Sequence, residues 1–158
     1  MQEINPFGLE ERKDKYNEQA VYSIALLYNV INARISSFLS RYRLTPGKFN
    51  ILMVIKHKGG QKGIKQVDVS KSLIVTPSNM TKLIDKLEKD KLVARFALEG
   101  DRRVNMIKIT DKGSKLLDSL WENYCLQMEG IVVGITKIEQ KQTAALLSLW
   151  LKVLQGGQ

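Results

Sequence analysis

"VTPSNMTKLIDKLEKDKLVARFALEGDRRVNMIKIT", residues 75–110, decides the fold. Thr76 is placed to cap a helix, and Pro77 at its first position loses no hydrogen bond, because that N–H has no partner in a helix start. From there Met80, Leu83, Ile84 and Leu87 recur at helical spacing and form one apolar side. Ser78, Lys82, Asp85 and Lys86 lie opposite, with Asn79 and Thr81 on the borders. The period then changes from 3.6 to 2. In "KLVARFALE", Leu92, Ala94, Phe96 and Leu98 alternate with Val93, Arg95 and Ala97; in "VNMIKI", Ile107 and Ile109 flank Lys108. These are two strands of a hairpin with Glu99-Gly100-Asp101-Arg102 expected at its tip. Thr110 is the expected N-cap of the helix that follows.

Upstream, "IKQVDVSKSLIV" has Val67, Val69, Ser70 and Leu73 spaced for a helix of about two turns. A short helix, a tight turn at 73–75 and a capped longer helix have helix-turn-helix spacing. Before it, "LTPGKFNILMVIKHK" repeats the Thr-Pro helix start and ends near the breaker "KGGQKG" at 58–63. Earlier still, Val21, Ile24, Tyr28, Ile31, Ile35, Phe38 and Tyr42 keep one stripe over a helix spanning roughly 14–43. Downstream, Leu117, Leu120, Tyr124, Met128, Ile131 and Ile135 mark another stripe. A last helix, about 137 to 154, has an apolar face broad enough that it must be well buried.

At 158 residues the chain reads as one domain, 1–158, with 44% hydrophobic and 26% charged residues as in ordinary globular proteins. The formal net charge is +9, and its placement says more than its size. Residues 61–115 carry thirteen Lys/Arg against seven Asp/Glu, while residues 116–158 carry three against four. A basic middle third between less charged flanks fits a polyanion-binding module. One cysteine excludes an intrachain disulfide and fits a reducing compartment; with no leader pattern and no apolar run near 18 residues, the expected location is the cytoplasm.

The 76–89 helix can be a plain amphipathic surface helix, with Asp85 and Lys89 as an i,i+4 pair. It can also be a recognition helix, whose Ser78, Asn79 and Thr81 approach base edges while Lys82 and Lys86 neutralise phosphates. The hairpin separates the two. As an exposed ion pair with Asp101, the arginines contribute about 0–1 kcal/mol, and beside each other they repel. Opposite a phosphate chain both charges become useful, one guanidinium entering a minor groove and Asp101 steadying its neighbour. Arg102 is the expected entrant.

Residues 64–117 resemble the winged helix-turn-helix of the MarR family of bacterial transcription regulators. The resemblance rests on "TPSNMTKLIDKLEKDKLVAR", on "DRR", and on "IT" followed by "KG" at 112–113, a D-x-R-x5-(L/I)-T-x-x-G spacing. It implies a mainly α fold with a small antiparallel β-hairpin: a winged helix-turn-helix region over 45–112, flanked by dimerisation helices at 14–43 and 113–155. It also implies a homodimer on a pseudo-palindromic operator of double-stranded DNA, acting as a repressor and answering to a small-molecule effector whose pocket the sequence does not reveal. On this reading Thr76, Ser78, Asn79, Thr81, Lys82, Lys86, Asp101, Arg102 and Arg103 form the DNA-binding surface. Lys91 departs from the family, which commonly has glycine there, and a left-handed turn is less comfortable for lysine.

Other functions find little support. Cys125 lies mid-helix without a basic neighbour in sequence and reads as packed and inert. His57, the only histidine, reads as an exposed helix-end residue, and one His with one Cys rules out a Cys/His metal site. No nucleophile–base pair, phosphate loop or carboxylate couple has a meaningful spacing, so neither an enzyme nor a cofactor or metal is expected. A winged-helix protein-interaction module without DNA binding is the alternative; the basic hairpin argues against it, since such a surface would carry apolar anchors. RNA recognition is weaker still, with Phe96 the only aromatic on the strands.

Overall fold

The computed structural model describes residues 16–73, 77–98 and 101–156, with the side chains of Pro77, Leu98 and residues 101–105 outside that description. In chain order the elements are α1 (Tyr16–Ser40), α2 (Pro46–Val54), β1 (Ile64–Lys65), α3 (Gln66–Leu73), α4 (Pro77–Lys89), β2 (Val93–Leu98), β3 (Asp101–Ile109), α5 (Asp111–Ile131) and α6 (Lys137–Gly156). The chain divides into two compact units, one running to Trp121 and the other beginning at Glu122. Every buried large apolar side chain among the described residues, from Phe38 to Leu120, belongs to the first.

Helix α1 stops three residues before the expected position 43. Arg43 turns left-handed (φ 57°), and the Leu44 amide returns to the Leu39 carbonyl at 3.1 Å, which drops Leu44 into the core. Helix α2 begins as its Thr-Pro signal requires. Thr45 is extended, its hydroxyl accepts the Lys48 N–H at 3.3 Å, and Pro46 opens the helix. Phe49, Ile51 and Leu52 are buried along it, and a π-helical turn, Ile55–Gly59, continues the chain before Gly60 (φ 51°) ends it.

The sheet has three antiparallel strands in the order β1-β3-β2. The hairpin of β2 and β3 is as expected; β1, pairing Ile64 with Ile107 and Lys65 with Met106, is an addition. Two residues are too short to display an alternation, so no pattern announces this strand. Gly63 precedes it with φ 76°, and a Cβ there would stand 2.9 Å from the Ile107 carbonyl oxygen and from the Phe96 ring. From Val93↔Ile109 to Ala97↔Asn105 the register of β2 on β3 is regular, and it then shifts by three to Leu98↔Asp101. Asp101 and Arg102, expected at the tip, therefore belong to β3, leaving residues 99–100 between the strands.

The exit of α4 and the start of α5 are locked together. Lys91 adopts the left-handed turn (φ 59°) despite its side chain, and the Leu92 amide closes on the Leu87 carbonyl at 2.9 Å. Besides accepting the Ser114 amide at its carbonyl, Thr110 makes three bonds that tie the two ends together. Its amide donates to the Leu92 carbonyl (3.1 Å), its hydroxyl donates to the Lys91 carbonyl (2.8 Å), and the same oxygen caps α5 by accepting the Gly113 N–H (3.1 Å). A Cβ on Gly113 would collide with the Leu92 carbonyl, so the glycine is a close-approach position.

Several apolar stripes are not covered within one chain. In α1, Val21, Ile24 and Tyr28 are exposed although they lie on the expected stripe. In the second unit no residue of α6 is buried, contrary to the expectation of a well-buried face: Leu146, Leu147, Leu149, Leu151, Val153 and Leu154 all stand in solvent. Hydrophobic patterning records that a face must be covered, not that the same chain covers it. Tyr16, Tyr28 and Trp121 are likewise exposed, whereas Phe38 is buried against Tyr42 with ring centroids 5.4 Å apart. Val67 on α3 is also exposed, and Val69 is the residue that α3 buries. Helix α6 opens with a capping box: Glu139 accepts from the Thr136 hydroxyl (2.7 Å) and amide (2.8 Å), which holds its carboxyl below the ordinary range.

Two substitutions at this lock should move stability in opposite directions, read by urea unfolding at a fixed protein concentration. Gly113→Ala forces the α5 start away from Leu92 and should lose about 2–3 kcal/mol. Lys91→Gly relieves the left-handed lysine and should gain about 0.5–1 kcal/mol after glycine's added chain entropy. Equal stability for both variants would contradict the lock.

Candidate nucleic-acid interface

Helix α4 buries Met80, Ile84 and Leu87 completely, and that anchoring determines what it shows to solvent. Ser78, Asn79, Thr81, Lys82 and Lys86 are all exposed, so five expected site residues share one open helix. Asp101, Arg102 and Arg103 form the start of β3, where the register shift falls; their side chains lie outside the described set. Thr76 lies outside the described residues.

What aims α4 is a set of polar contacts from other elements. Arg95 of β2 reaches two of its carboxylates: Nη2 lies 2.5 Å from Asp85 Oδ1, and Nη1 donates to Glu88 Oε2 at 3.0 Å. The Arg95 amide adds a bond to Glu88 Oε1 at 3.3 Å. Gln66, the first residue of α3, donates from Nε2 to Thr81 Oγ1 at 2.9 Å. Thr81, Asp85 and Glu88 follow the i, i+4, i+7 spacing, so these contacts line one stripe of the helix. Beyond its end, Lys48 Nζ pairs with Asp90 Oδ2 at 2.7 Å, and Lys112 Nζ donates to the Asp90 carbonyl at 2.9 Å.

The Arg95 contacts differ from an ordinary surface ion pair. The side chain is 25% exposed, and its Nε is buried without a hydrogen-bond partner among the described residues. Leaving one buried donor unpaired costs about 1–3 kcal/mol. Two carboxylates on one planar fork offset it, a geometry lysine cannot supply. The electrostatic consequence reaches the exposed face. Asp85, which could have paired with Lys89 along the helix, pairs across to Arg95 instead. An acidic side chain between Lys82, Lys86 and Lys89 is thereby neutralised by the wing strand, and the helix presents net positive charge outward.

Sequence reasoning missed Arg95 and Gln66. For Arg95 the only signal was its place on the same face as Val93, and nothing in the pattern shows that this face, rather than that of Phe96, turns inward. Gln66 gave none, since its bond depends on how α3 and α4 cross. Elsewhere His57 is exposed, as expected. Cys125 is half-buried on α5; burial, and secondarily the neighbouring thiol, raise the Tyr124 phenol above its ordinary pKa. Among the described residues no group of three or more His, Cys, Asp or Glu is placed to hold a metal ion, and no helix is long and apolar enough to cross a membrane.

A short helix, an exposed helix that follows it and a flanking hairpin define a winged helix-turn-helix protein; positions 74–75 of the turn expected at 73–75 lie outside the described residues. Residues 44–104 match the MarR family. The chain is 27% identical over 120 residues to the HTH-type transcriptional regulator MhqR of Bacillus subtilis, covering 76% of this chain and 81% of the relative. It is 29% identical over 122 residues to the HTH-type transcriptional repressor MdtR of the same organism, covering 77% of each. Among solved structures, a mutant MarR from E. coli complexed with operator DNA has a TM-score of 0.79 at 21% identity, over 87% of this chain and 99% of that one. Bordetella bronchiseptica BpsR, whose DNA binding is regulated by 6-hydroxynicotinic acid, has a TM-score of 0.75 at 20% identity, over 84% and 98%. The structural likenesses establish the fold. The family match thus covers the helix-turn-helix and the start of the wing, residues 44–104, and the relatives named are HTH-type transcriptional regulators.

The clamp predicts a compensation. Arg95→Leu strands two carboxylates beside the exposed lysines and should weaken duplex binding by about tenfold or more. Adding Asp85→Asn and Glu88→Gln should recover most of that loss, measured by fluorescence anisotropy. A triple variant as weak as Arg95→Leu alone would show that Arg95 acts by some route other than the two carboxylates.

Proposed function

We propose that the chain is a sequence-specific DNA-binding transcriptional regulator that works in the cytoplasm as a homodimer on a pseudo-palindromic operator, represses transcription, and answers to a small molecule. The observation that carries it is the open face of α4, with two exposed lysines and three small hydrogen-bonding residues above a fully buried base. Lysines position the protein on phosphates; Ser, Asn and Thr are short enough to meet base edges in a major groove. The arginines at the start of β3 are the second contact, Arg102 entering the minor groove and Arg103 held by Asp101. The uncovered apolar residues of α1 and of α6 support self-association, since a monomer rarely leaves so much apolar surface in water. Two-fold symmetry then sets half-sites about 34–36 Å apart. MdtR is a repressor and BpsR has a small-molecule regulator; both properties are proposed here by likeness to them. The alternative, an interaction module without DNA binding, would place apolar or aromatic anchors on α4 where lysines stand.

Binding to random duplex DNA should fall steeply as log K against log salt. Lys82→Ala and Lys86→Ala should each reduce that slope by about 1 while leaving the mass of the dimer unchanged. A slope near zero in the parent would remove the proposal. Arg102→Ala and Arg103→Ala should each weaken binding without altering the fold; parent-like affinity in both would remove the wing from the interface.

A further inference from the structure

The two flanks of α4 are used differently by the fold. On one, Thr81, Asp85 and Glu88 are engaged by Gln66 of α3 and Arg95 of β2. On the other, Asn79, Lys82 and Lys86 follow the i, i+3, i+7 spacing, and all three are exposed. None of these three side chains has a hydrogen bond or ion pair with another described residue. We infer that Asn79 is the specificity-determining residue of this face and that it selects adenine: in each half-site its amide meets the major-groove edge of one A·T pair. This rests on the DNA-binding reading above and names a base that the reading leaves open.

The choice of base follows from what each side chain offers. A serine or threonine hydroxyl both donates and accepts, so it suits the edge of any base and separates bases poorly. A lysine ammonium is a point charge on a flexible stem, suited to phosphates. The amide of Asn79 carries a donor and an acceptor side by side in one plane. Adenine presents the matching pair in the major groove, where its N7 accepts and its N6 amino group donates. Guanine offers two acceptors there, cytosine a lone donor, and thymine an acceptor beside a methyl group.

Position agrees with the chemistry. Asn79 is the third residue of α4, which begins at Pro77. The next residue, Met80, is fully buried. One turn on, Leu83 packs on the start of α2, with a δ-methyl 3.4 Å from where a Cβ on Gly47 would stand. Core packing therefore fixes the backbone that carries Asn79. A short side chain on a fixed backbone is what a bidentate contact needs, since both bonds must be met at once. Lys82 and Lys86 on the same stripe bring the duplex backbone up to it through phosphate contacts that carry no sequence preference of their own.

The test selects bound sequences from a random-sequence duplex library with the full-length parent and with Asn79→Ala, and melting temperature and dimer mass are recorded for both. The parent should enrich adenine at one mirrored position in each half-site. Asn79→Ala should lose discrimination there about tenfold while keeping the preferences at other positions. In a synthetic copy of the selected operator, 7-deazaadenine at those two positions deletes the N7 acceptor and keeps base pairing. The analogue should weaken the parent about tenfold or more and leave Asn79→Ala unaltered. Four results overturn the inference: an unchanged profile in Asn79→Ala, equal weakening on all sequences, loss of preference at a G·C pair, or an equal effect of the analogue on both proteins. If the parent enriches no sequence, the DNA-binding reading falls and this inference with it; an enriched operator read without Asn79 overturns this inference alone.

Discussion

The guanidinium of Arg95 decides how the two halves of the proposed interface meet. It sits on β2, the strand that leads to the wing, and closes on Asp85 and Glu88 of α4, the helix that shows Lys82 and Lys86 to solvent. Without it, hydrophobic packing through Met80, Ile84 and Leu87 would still seat α4 on the core, because that burial does not depend on charge. Packing alone leaves the helix free to roll by small angles, and a recognition helix must be held closely to meet base edges. A fork bonded to two carboxylates one turn apart restricts that roll.

The same interaction divides labour between charges. Helix α4 carries acidic residues that a DNA-facing helix would ordinarily avoid, yet the fold pairs two of them with Arg95. The lysines are left to act at long range, where the field of the basic middle third raises the rate and strength of encounter with a polyanion. In the proposed interface, short-range discrimination falls to Ser78, Asn79 and Thr81. Around this unit the Thr110–Gly113 lock fixes where β3 hands over to α5, which makes the "IT" and "KG" of the family motif structural residues rather than DNA contacts.

Much of the fold was legible because local rules and burial agree there. Thr45 and Thr110 cap their helices as their neighbours require, and the change of period after Lys89 marks the step from helix to strand. The buried side of α4 follows the apolar positions read from its period. Three features were not legible, each for a physical reason. Strand β1 is two residues long, below the length at which alternation has meaning. The Gln66 and Arg95 contacts depend on distances between elements that no linear pattern encodes. The bare face of α6 looked like core because hydrophobicity reports a need for cover without naming its source. Lys91 is instructive in another way: its left-handed turn is adopted against the preference of its side chain, since the bonds from Leu92 and Thr110 over-determine the backbone there.

The central claim is that α4, clamped to the wing strand, enters a major groove. Protection of guanine N7 from methylation on a selected operator fragment tests it directly, because N7 is exposed only in that groove. Two symmetric clusters of N7 protection, centred about one helical turn apart, are the result expected of a two-fold dimer with both α4 helices docked. Binding that protects the sugar–phosphate backbone from hydroxyl radicals while leaving every N7 open to methylation would contradict it.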